Sequence, residues 1–466
     1  MRPPPCHSRQ ARAALPCDTL ATMNITLPDN VLHVLNTLQA AGYDAWVVGG
    51  AVRDLLYGRP AHDYDVATAA RPTQVAALFP DATRDLAANF GTTGVFSGGA
   101  LIEVTTFRSE GRYTDFRHPD DLEFADHIED DLSRRDFTIN ALAWSPQRGL
   151  LDLFGGADDL RASLIRCVGD PDARFAEDPL RILRAWRFAA QLGFELEPQT
   201  RDATVQQAQL LRHISAERIR DEFCKLLLAD PRTLQNMPPE VLNQFLPELV
   251  TMFDTPQNTP FHQYSVGEHS IVACLQTPAN LRVRLAALFH DAGKPRARFH
   301  REDGIDHFYH HPAYSAEITH AIMRRLKFSR QLTDEVCALV LQHDRQVGET
   351  DASIRRAVAS VGEDLFGELL QLKYADAGSV AEQYRAARLE SVADIERRYY
   401  ELKESDRLVH STHQLAIGGR DLIALGMQPG PPMGKVLSTL LEEVIETPAL
   451  NTREALLARA QELLKD

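Results

Sequence analysis

The sequence predicts an α/β head with a small mixed sheet, followed by a long all-α body. Within residues 24–165, runs rich in β-branched and aromatic residues (45–50, 62–68 and 100–108) alternate with helically spaced segments. After about residue 170, helical periodicity dominates to the C-terminus and is interrupted by Gly and Pro. A chain of 466 residues is long enough for roughly two to four domains with their own cores.

Composition is that of an ordinary soluble globular protein, and no apolar run approaches the ~20 residues that a membrane helix needs. Six cysteines are scattered without a CxxC pair, which indicates reduced thiols and a cytoplasmic protein. The formal net charge of −15 taken alone argues against a nucleic-acid partner, because phosphate contacts need Lys and Arg. RNA contacts therefore have to come from local basic clusters, such as Arg181, Arg184 and Arg187.

The first 22 residues are rich in Pro and Arg and lack the apolar segment of a secretory signal. Met23 precedes the first patterned segment. We predict that residues 1–22 are a disordered or wrongly assigned tail, which leaves Met1 and Met23 both open as the start of the protein.

The head contains a Gly turn followed by paired carboxylates. Gly49-Gly50 lies at the start of a predicted helix, where backbone N–H groups can approach a triphosphate closely. Arg53, one turn into that helix, can add charge-assisted hydrogen bonds to phosphate. Asp63 and Asp65 occupy alternate positions of a predicted strand, so both side chains share one face and can hold Mg²⁺. Such an ion can lower the pKa of an attacking hydroxyl and stabilise a leaving pyrophosphate.

Residues 49–68 resemble the signature of the class II nucleotidyltransferases, which include bacterial tRNA CCA-adding enzymes and bacterial poly(A) polymerases. The run 134–141 (RRDFTINA) is similar to the family's RRDFTxNA motif, and this implies that Arg135 touches the sugar and phosphates of the incoming nucleotide. The run 177–184 (EDPLRILR) resembles the EDxxRxxR motif, which replaces a nucleic-acid template. The resemblance implies a polymerase-β-like head that uses Mg²⁺, CTP and ATP to add CCA, or its terminal A, to the 3′ end of tRNA.

Template-free base selection has a chemical basis in the second motif. On a helix, Asp178 and Arg181 would be neighbours at i, i+3. Cytosine and adenine both present an amino donor beside a ring-nitrogen acceptor, which a carboxylate and a guanidinium can satisfy together. Uracil and guanine present the reverse order and would leave buried groups unpaired, at about 1–3 kcal/mol each. The alternative is a surface ion pair of little energetic value. Arg184 and Arg187 continue the stripe as nucleotide-binding candidates, and the predicted core positions are Ile182, Ala185 and Phe188 or Ala189.

Two further features of the head bear on the reaction. Glu103 is a candidate third acidic group near the metal, with a surface carboxylate on an edge strand as the alternative. The polar stretch 109–127 resembles the flexible loop that family members need for adding the terminal A, and its presence argues against an enzyme that adds only CC. Full CCA addition and A-only addition both stay open.

A second group of metal-ligand residues lies in the helical body. The adjacent His290 and Asp291, followed by Gly-Lys and flanked by histidines, resemble the HD superfamily of metal-dependent phosphohydrolases. Imidazole and carboxylate ligands suit a borderline divalent ion and leave room for a water nucleophile. The resemblance implies a divalent metal of unspecified identity with His307 and His311 nearby and with the ligands His269, His290, Asp291 and Asp344. It leaves open whether the domain hydrolyses 2′,3′-cyclic phosphates or phosphomonoesters or is structural.

The predicted domain order is a tail (1–22), a head (23–165), a helical nucleotide-selecting and RNA-binding neck (166–255), an HD domain (256–350) and a helical tRNA-binding tail (351–466). The predicted partners are tRNA, CTP and ATP, with no membrane and no protein partner implied. One alternative is a poly(A) polymerase, although such enzymes usually carry a strongly basic C-terminal extension and no HD domain. The other is an HD phosphohydrolase with a non-catalytic RNA-binding head.

Overall fold

The structure is a computed structural model that describes residues 25–87, 91–109 and 123–464. It divides into two compact units on either side of the Leu226–Leu227 bond. The predicted order of an α/β head and a helical body is confirmed. The predicted tail 1–22 and most of the predicted loop 109–127 lie outside the described residues.

The first unit contains a seven-stranded mixed sheet with the strand order β3-β4-β5-β2-β1-β6-β7. Its strands are β1 (Ala45–Val48), β2 (Asp65–Thr68), β3 (Thr83–Ala87), β4 (Thr92–Ser97), β5 (Ala100–Thr106), β6 (Leu142–Ser145) and β7 (Gly149–Asp152). Strands β2 and β5 pair in parallel, and the other neighbours are antiparallel. The interior strand β1 is buried along its whole length, as its apolar sequence AWVV requires.

Helices surround this sheet and continue beyond it. In chain order they are α1 (Asp29–Ala40), α2 (Gly50–Leu56), α3 (Pro72–Leu78), α4 (Ile128–Ser133), α5 (Gly156–Ala162), α6 (Pro171–Glu177), α7 (Leu180–Leu192), α8 (Pro198–Gln206) and α9 (Ala216–Ala229). A short parallel pair, β8 (Leu164–Ile165) and β9 (Glu195–Leu196), lies between them. The predicted strand over 62–68 is shorter than expected, because β2 begins only at Asp65.

The second unit is helical apart from one β-hairpin, within the residues that the structure describes. Its helices are α10 (Arg232–Asn236), α11 (Pro239–Leu242), α12 (Pro247–Phe253), α13 (Val266–Gln276), α14 (Leu281–Phe289), α15 (Lys294–Ala297), α16 (His311–Arg325), α17 (Arg330–Gln342), α18 (Asp351–Val361), α19 (Glu363–Ser379), α20 (Glu382–Glu404), α21 (Gly419–Ala424), α22 (Pro431–Glu446) and α23 (Arg453–Leu463). The hairpin consists of β10 (Arg298–His300) and β11 (Asp306–Phe308). Helices α13, α14, α17 and α19 pack together around buried residues such as Leu285, Leu339 and Leu372. Over the described ranges, no helix combines the length and the hydropathy needed to cross a bilayer.

Candidate active site

Three acidic residues lie at one end of the parallel strand pair in the head. Asp65, the first residue of β2, is in register with Glu103 of β5. Asp63 precedes the strand, so the prediction that Asp63 and Asp65 alternate within one strand is wrong in that detail. The pKa of Asp65 is nevertheless raised by partial desolvation, by Glu103 and by Asp63, against the lowering effect of Arg135. This crowding of negative charge fits a divalent cation, whose preferred ligands are carboxylates.

The predicted Gly turn lies directly beside these acids. Gly49 has a φ of +71°, and it separates β1 from α2. A Cβ atom at this position would lie 2.8 Å from Nη1 of Arg135. Arg135 also donates to the Asn140 carbonyl at 3.3 Å, and Arg53 donates to the Asn140 side-chain oxygen at 2.7 Å. The turn, Arg53 and Arg135 are therefore brought together around Asn140, which lies 87 residues after Arg53 in the sequence.

One buried carboxylate holds both arginines of the RRDFT motif. Asp131 accepts from Arg134 at 2.5 Å and from Arg135 at 3.1 Å. Burial by itself would raise the pKa of Asp131, but these two guanidinium groups lower it. The conformation of the motif is thus fixed by a buried charge network rather than by solvent-exposed pairs.

The base-selecting pair differs from the predicted arrangement. Asp178 has φ −137° and ψ 96° and lies between α6 and α7, not on a helix beside Arg181. Its carboxylate accepts from Arg218 at 2.9 Å and from the Leu180 N–H at 3.1 Å. Arg181 is buried and donates at 2.5 Å to Glu177. The prediction of an i, i+3 pair is therefore wrong, and so is the alternative of a surface ion pair, because each residue has a different partner.

Arg181 is held in one orientation by main-chain oxygens as well. It donates to the carbonyl of Arg174 at 3.0 Å and to the carbonyl of Arg134 at 2.9 Å. The second contact joins α7 to the RRDFT motif. The two motifs therefore form one structural unit, which their separation in the sequence does not show.

Arg184 and Arg187 have different surroundings. Arg184 donates to the buried carboxylate of Asp136 at 2.8 Å and is partly exposed. Arg187 is buried, donates to Glu222 and stacks on the Phe188 ring with its guanidinium carbon 3.8 Å from the ring centroid. Arg187 thus has the environment of a structural ion pair. The predicted core residues Ile182, Ala185 and Phe188 are buried.

The ends of the predicted flexible loop are joined by hydrogen bonds. The Ser109 N–H donates to the Glu123 carbonyl at 3.0 Å, and the Ala125 N–H donates to the Phe107 carbonyl at 2.9 Å. Residues 110–122 lie outside the described part of the chain. The described ends of this segment lie next to the end of β5, the strand that carries Glu103.

Four imidazoles and two carboxylates converge in the second unit. The Nε2 atoms of His269 and His290 lie 3.3 Å apart, and Oδ1 of Asp376 is 3.0 Å from the first of them. The Nε2 atoms of His311 and His343 also lie 3.3 Å apart. We refer to these residues together with Asp291 as the imidazole–carboxylate cluster.

Asp291 connects the two halves of this cluster. Its Oδ2 lies 3.2 Å from Nε2 of His290, and its Oδ1 lies 3.3 Å from Nε2 of His311. Lys294 also contacts Oδ2 at 2.6 Å. Burial would raise the pKa of Asp291, but His290 and Lys294 hold it well below its usual range. The carboxylate is therefore ionised and shared between two groups of ligand atoms.

The orientation of the rings fits a metal site. Nδ1 of His290, His311 and His343 lies 2.8, 2.9 and 2.7 Å from a main-chain carbonyl oxygen. Donation to these carbonyls leaves Nε2 of a neutral ring as an acceptor that faces the cluster. Two acceptors that face each other at 3.3 Å, as in His311 and His343, need a cation or a shared proton between them. The donor set suits divalent ions of the kind that imidazole and carboxylate bind.

The structure brings His269, His290 and Asp291 together as the resemblance implied, but it does not bring Asp344 to them. Asp344 is exposed and lines the same cavity of about 340 Å³ without joining either group of converging atoms. His343 directs its ring into the cluster, and the adjacent side chain diverges. Asp376 of α19 was not among the ligands predicted from the sequence. The feature that could have indicated it is an acidic residue among small residues that are buried, Ala375, Ala377 and Gly378. His307 lies on the exposed hairpin, outside both groups.

Comparisons with known proteins agree with this arrangement. Residues 45–166 match the model of the Poly A polymerase head domain, residues 193–252 match the model described as "Probable RNA and SrmB- binding site of polymerase A", and residues 301–460 match the model of tRNA nucleotidyltransferase domain 2. The fold and these matches define a nucleotidyltransferase head with a helical body.

Two relatives and one solved structure resemble the chain over nearly its whole length. A CCA-adding enzyme of Limosilactobacillus fermentum is 35% identical over 93% of this chain and 96% of its own length. A CCA-adding enzyme of Lacticaseibacillus paracasei is 32% identical over 95% of this chain and 99% of its own. The crystal structure of the Bacillus stearothermophilus CCA-adding enzyme in complex with CTP has a TM-score of 0.69 at 29% identity, covering 94% of this chain and 98% of that one. The chain belongs to the class II tRNA nucleotidyltransferases, the family of the CCA-adding enzymes.

Proposed function

We propose that this chain adds C, C and A in succession to the 3′ end of tRNA, using CTP and ATP and no nucleic-acid template. The observation that carries the proposal is the placement of Asp65 and Glu103 in register on parallel strands, beside the Gly49 turn and Arg135. Carboxylates, a helix N-terminus and arginines at one place can hold a metal and a triphosphate together. The relatives named as CCA-adding enzymes, which match over almost the full chain, support the same reaction.

In this reaction Asp63, Asp65 and Glu103 would hold Mg²⁺. The ion would lower the pKa of the attacking 3′-hydroxyl and stabilise the negative charge of the departing pyrophosphate. Arg135 and Arg53, held around Asn140, would orient the phosphates and sugar of the nucleotide. The raised pKa of Asp65 supports the assignment, since a bound cation would relieve the repulsion among these carboxylates.

Base selection would use Asp178 as acceptor and Arg181 as donor toward the Watson–Crick edge of C or A. Arg181 is held by Glu177 and by two carbonyl oxygens, so its guanidinium presents a fixed orientation. Asp178 would exchange its contact with Arg218 for the amino group of the base. Because both residues are fixed by protein contacts rather than by each other, each can be tested separately.

The test of base selection measures incorporation of labelled C, A, U and G into tRNA that lacks its CCA end. Asp178→Ala and Arg181→Ala should each lower kcat/KM for CTP and ATP by about 10- to 100-fold, as expected for an unpaired buried polar group. The preference for C and A over U and G should decrease in the same variants. Asp158→Ala, at an exposed position of α5, is the matched control and should retain wild-type selectivity. Unchanged selectivity in Asp178→Ala would rule out its role as a base reader.

The extent of addition needs a separate experiment. We expect purified protein to incorporate labelled C into tRNA that lacks all three terminal nucleotides and into tRNA that ends after one C, and then to add a single A. Incorporation of A alone, and only into tRNA that already ends in two Cs, would instead identify an A-only enzyme. Long A-tails on a generic RNA with ATP alone would identify the poly(A) polymerase alternative.

A second candidate function is metal-dependent phosphohydrolysis at the imidazole–carboxylate cluster. The observation that favours it is the sharing of Asp291 between two groups of imidazole ligands. The first group, completed by Asp376, and the second group would each hold a divalent ion. A bound ion would supply a water molecule of lowered pKa as nucleophile. His262, whose pKa is lowered to about 3 by burial and by Lys294, lines the same cavity as a neutral ring.

Chromatography of the products formed from nucleoside phosphates tests this second function. Full-length protein loaded with Mn²⁺, Co²⁺ or Ni²⁺ should hydrolyse 2′,3′-cyclic AMP or 3′-AMP, and His311→Ala should abolish that hydrolysis. CCA addition should be unaffected in the same variant. If metal-loaded wild-type protein hydrolyses neither compound, the cluster is structural. A fall in Tm on treatment with a chelator would then still report metal binding, because a ligand bound to the folded state stabilises it.

We also propose the finer organisation into a head (23–165), neck (166–255), HD domain (256–350) and tRNA-binding tail (351–466), and a cytoplasmic location. Support for the location comes from the cysteines, since the four in the described part of the chain are all free thiols. Limited proteolysis followed by mass spectrometry tests the division. Cuts clustered inside these ranges rather than near their borders would contradict it.

A further inference from the structure

An exposed aromatic row lies at the mouth of the cavity that contains the imidazole–carboxylate cluster. Tyr309 is 61% exposed and stacks on His307, with ring centroids 5.4 Å apart and an angle of 7° between the rings. Phe299 is 57% exposed and is in register with His307 across the β10–β11 hairpin, which places the two side chains on one face. Large aromatic side chains are rarely exposed as a group unless something packs on them.

The hairpin that carries this row is held rigidly. Asp306 is buried, and its carboxylate accepts from His300 at 2.8 Å, from the Asn258 N–H at 3.0 Å and from Arg298 at 3.1 Å. The Tyr309 hydroxyl also lies 3.3 Å from Nδ1 of His307. The aromatic face is therefore preorganised, which lowers the entropic cost of binding a ligand there.

A sharp turn connects this row to the cluster. His310 adopts φ +60° and ψ 16°, a left-handed conformation that only few non-Gly residues adopt. The turn directs His311 inward, to 3.3 Å from Asp291, while Tyr309 stays at the mouth and lines the same cavity. The exposed Arg388 also lines this cavity and adds positive charge. A cavity of about 340 Å³ is within the size range of small-ligand sites.

We propose that Tyr309, supported by His307, is a nucleobase platform, so that the cluster acts on phosphates attached to a nucleoside rather than on phosphate esters in general. The inference rests on the phosphohydrolase function proposed above and names its substrate class. A parallel pair of aromatic rings with one free face can be extended by a third ring. Every nucleobase has a π-face, so the platform accepts any of the four bases and gives affinity without sequence preference.

The test compares 3′-AMP with glycerol 2-phosphate, two phosphomonoesters of secondary alcohols of which only one carries a base. In the metal-loaded full-length protein, Tyr309→Ala should raise KM for 3′-AMP about tenfold or more. The same variant should leave kcat for both substrates, and KM for glycerol 2-phosphate, near wild type. Tyr309→Phe should restore the wild-type KM. Tyr400→Ala, which removes an exposed tyrosine from α20, is the matched control and should change nothing.

Equal effects of Tyr309→Ala on both substrates, or no effect on either, would overturn the platform while leaving the hydrolase in place. If wild-type protein hydrolyses neither substrate, the hydrolase proposal fails, and binding then decides the platform. The probe is 2-aminopurine riboside 3′-phosphate, and Arg181→Ala, which removes the proposed base contact of the head, is the control for binding there. Wild-type protein should quench its fluorescence, and Tyr309→Ala should abolish most of the quenching. Absence of quenching in wild type, or full quenching in Tyr309→Ala, would overturn the inference.

Discussion

The buried carboxylate of Asp136 should contribute about 2–3 kcal/mol to the stability of the head. It accepts from Arg184, from the Asn140 side chain at 3.1 Å and from the Phe137 N–H at 2.9 Å. Burial alone would raise the pKa of Asp136, but Arg184 and Asn140 lower it from 3.8 to about 2. One pKa unit corresponds to about 1.4 kcal/mol. The difference between a pKa of 3.8 in the unfolded chain and about 2 in the folded protein therefore gives a stabilisation of about 2–3 kcal/mol.

The sign of the pH dependence follows from the lowered pKa. The stabilisation is complete well above 3.8, the pKa of the unfolded carboxyl, and is lost as the pH falls through about 2. At pH 3 it should have decreased to about half of its value at pH 7. Asp136→Asn removes the charge and keeps the shape, so its free energy of unfolding should be lower than that of wild type by about 2–3 kcal/mol at pH 7. The difference should shrink toward pH 3.

Tryptophan fluorescence during urea unfolding reports on the first structural unit, which contains Asp136. The protein has 3 tryptophans, Trp46, Trp144 and Trp186, and all lie in the first unit. The control is Asp158→Asn, because Asp158 pairs with Arg161 at the surface, is 76% exposed and should contribute less than about 1 kcal/mol. A difference between Asp136→Asn and wild type that stays constant from pH 7 to pH 3 would refute the electrostatic explanation, and equal stability of the two proteins at pH 7 would refute the contribution itself.

Three further predictions concern backbone space and thiol burial. Gly49→Ala should lower kcat/KM for CTP about tenfold or more, because the φ of +71° is unfavourable for Ala and the new Cβ would lie 2.8 Å from a guanidinium nitrogen. The control is Gly58→Ala, where φ is +70° and no atom lies within 4 Å of the new Cβ. This variant should show the backbone strain alone and stay active. Gly293→Ala should destabilise the second unit by about 2 kcal/mol or more and impair metal binding, because its Cβ would overlap the backbone of α16. The control is Gly367→Ala on α19, where no atom lies within 4 Å of the new Cβ, and it should be neutral or slightly stabilising in a thermal melt. Equal losses of stability in both variants would contradict the steric argument. Cys274 is buried, and burial raises the pKa of its thiol far above the usual range, so a thiol reagent at pH 8 should leave it unmodified in the folded protein; fast labelling detected by mass spectrometry would contradict the packing of α13.

Local chemistry in the sequence was sufficient to predict the Gly49 turn, the pair of acids near it and the helical body. The position of Asp178 was also predictable in principle, because Pro179 follows it and the residue before a proline is disfavoured in the helical region. Applying that rule would have placed Asp178 before the helix rather than on it. The register of Asp65 with Glu103 was not predictable in this way, because it depends on the hairpin formed by β3 and β4 between them.

Contacts between distant parts of the chain explain the remaining differences. Arg187 looked like part of an exposed basic stripe, but its partner Glu222 lies 35 residues away and is buried with it. Asp376 joins His269 across 107 residues, and no adjacent metal-ligand residue marks its position. A local pattern can show that a residue type suits a site, but only the packing of helices decides which residues meet there.

The sharing of Asp291 has a consequence for how the second unit folds. Its imidazole partners are supplied by α13 and α16 and by the residues that follow α14 and α17, so four helices depend on one carboxylate. Replacing Asp291 would therefore remove the one ligand that both groups share and leave His311 and His343 facing each other without a nearby carboxylate. In a lineage that loses hydrolysis, the peripheral histidines could be replaced one at a time. Asp291 could be replaced only if apolar side chains filled the interior of the unit instead. Retention of this aspartate in a relative would accordingly indicate the architecture, and only the surrounding histidines would indicate the chemistry.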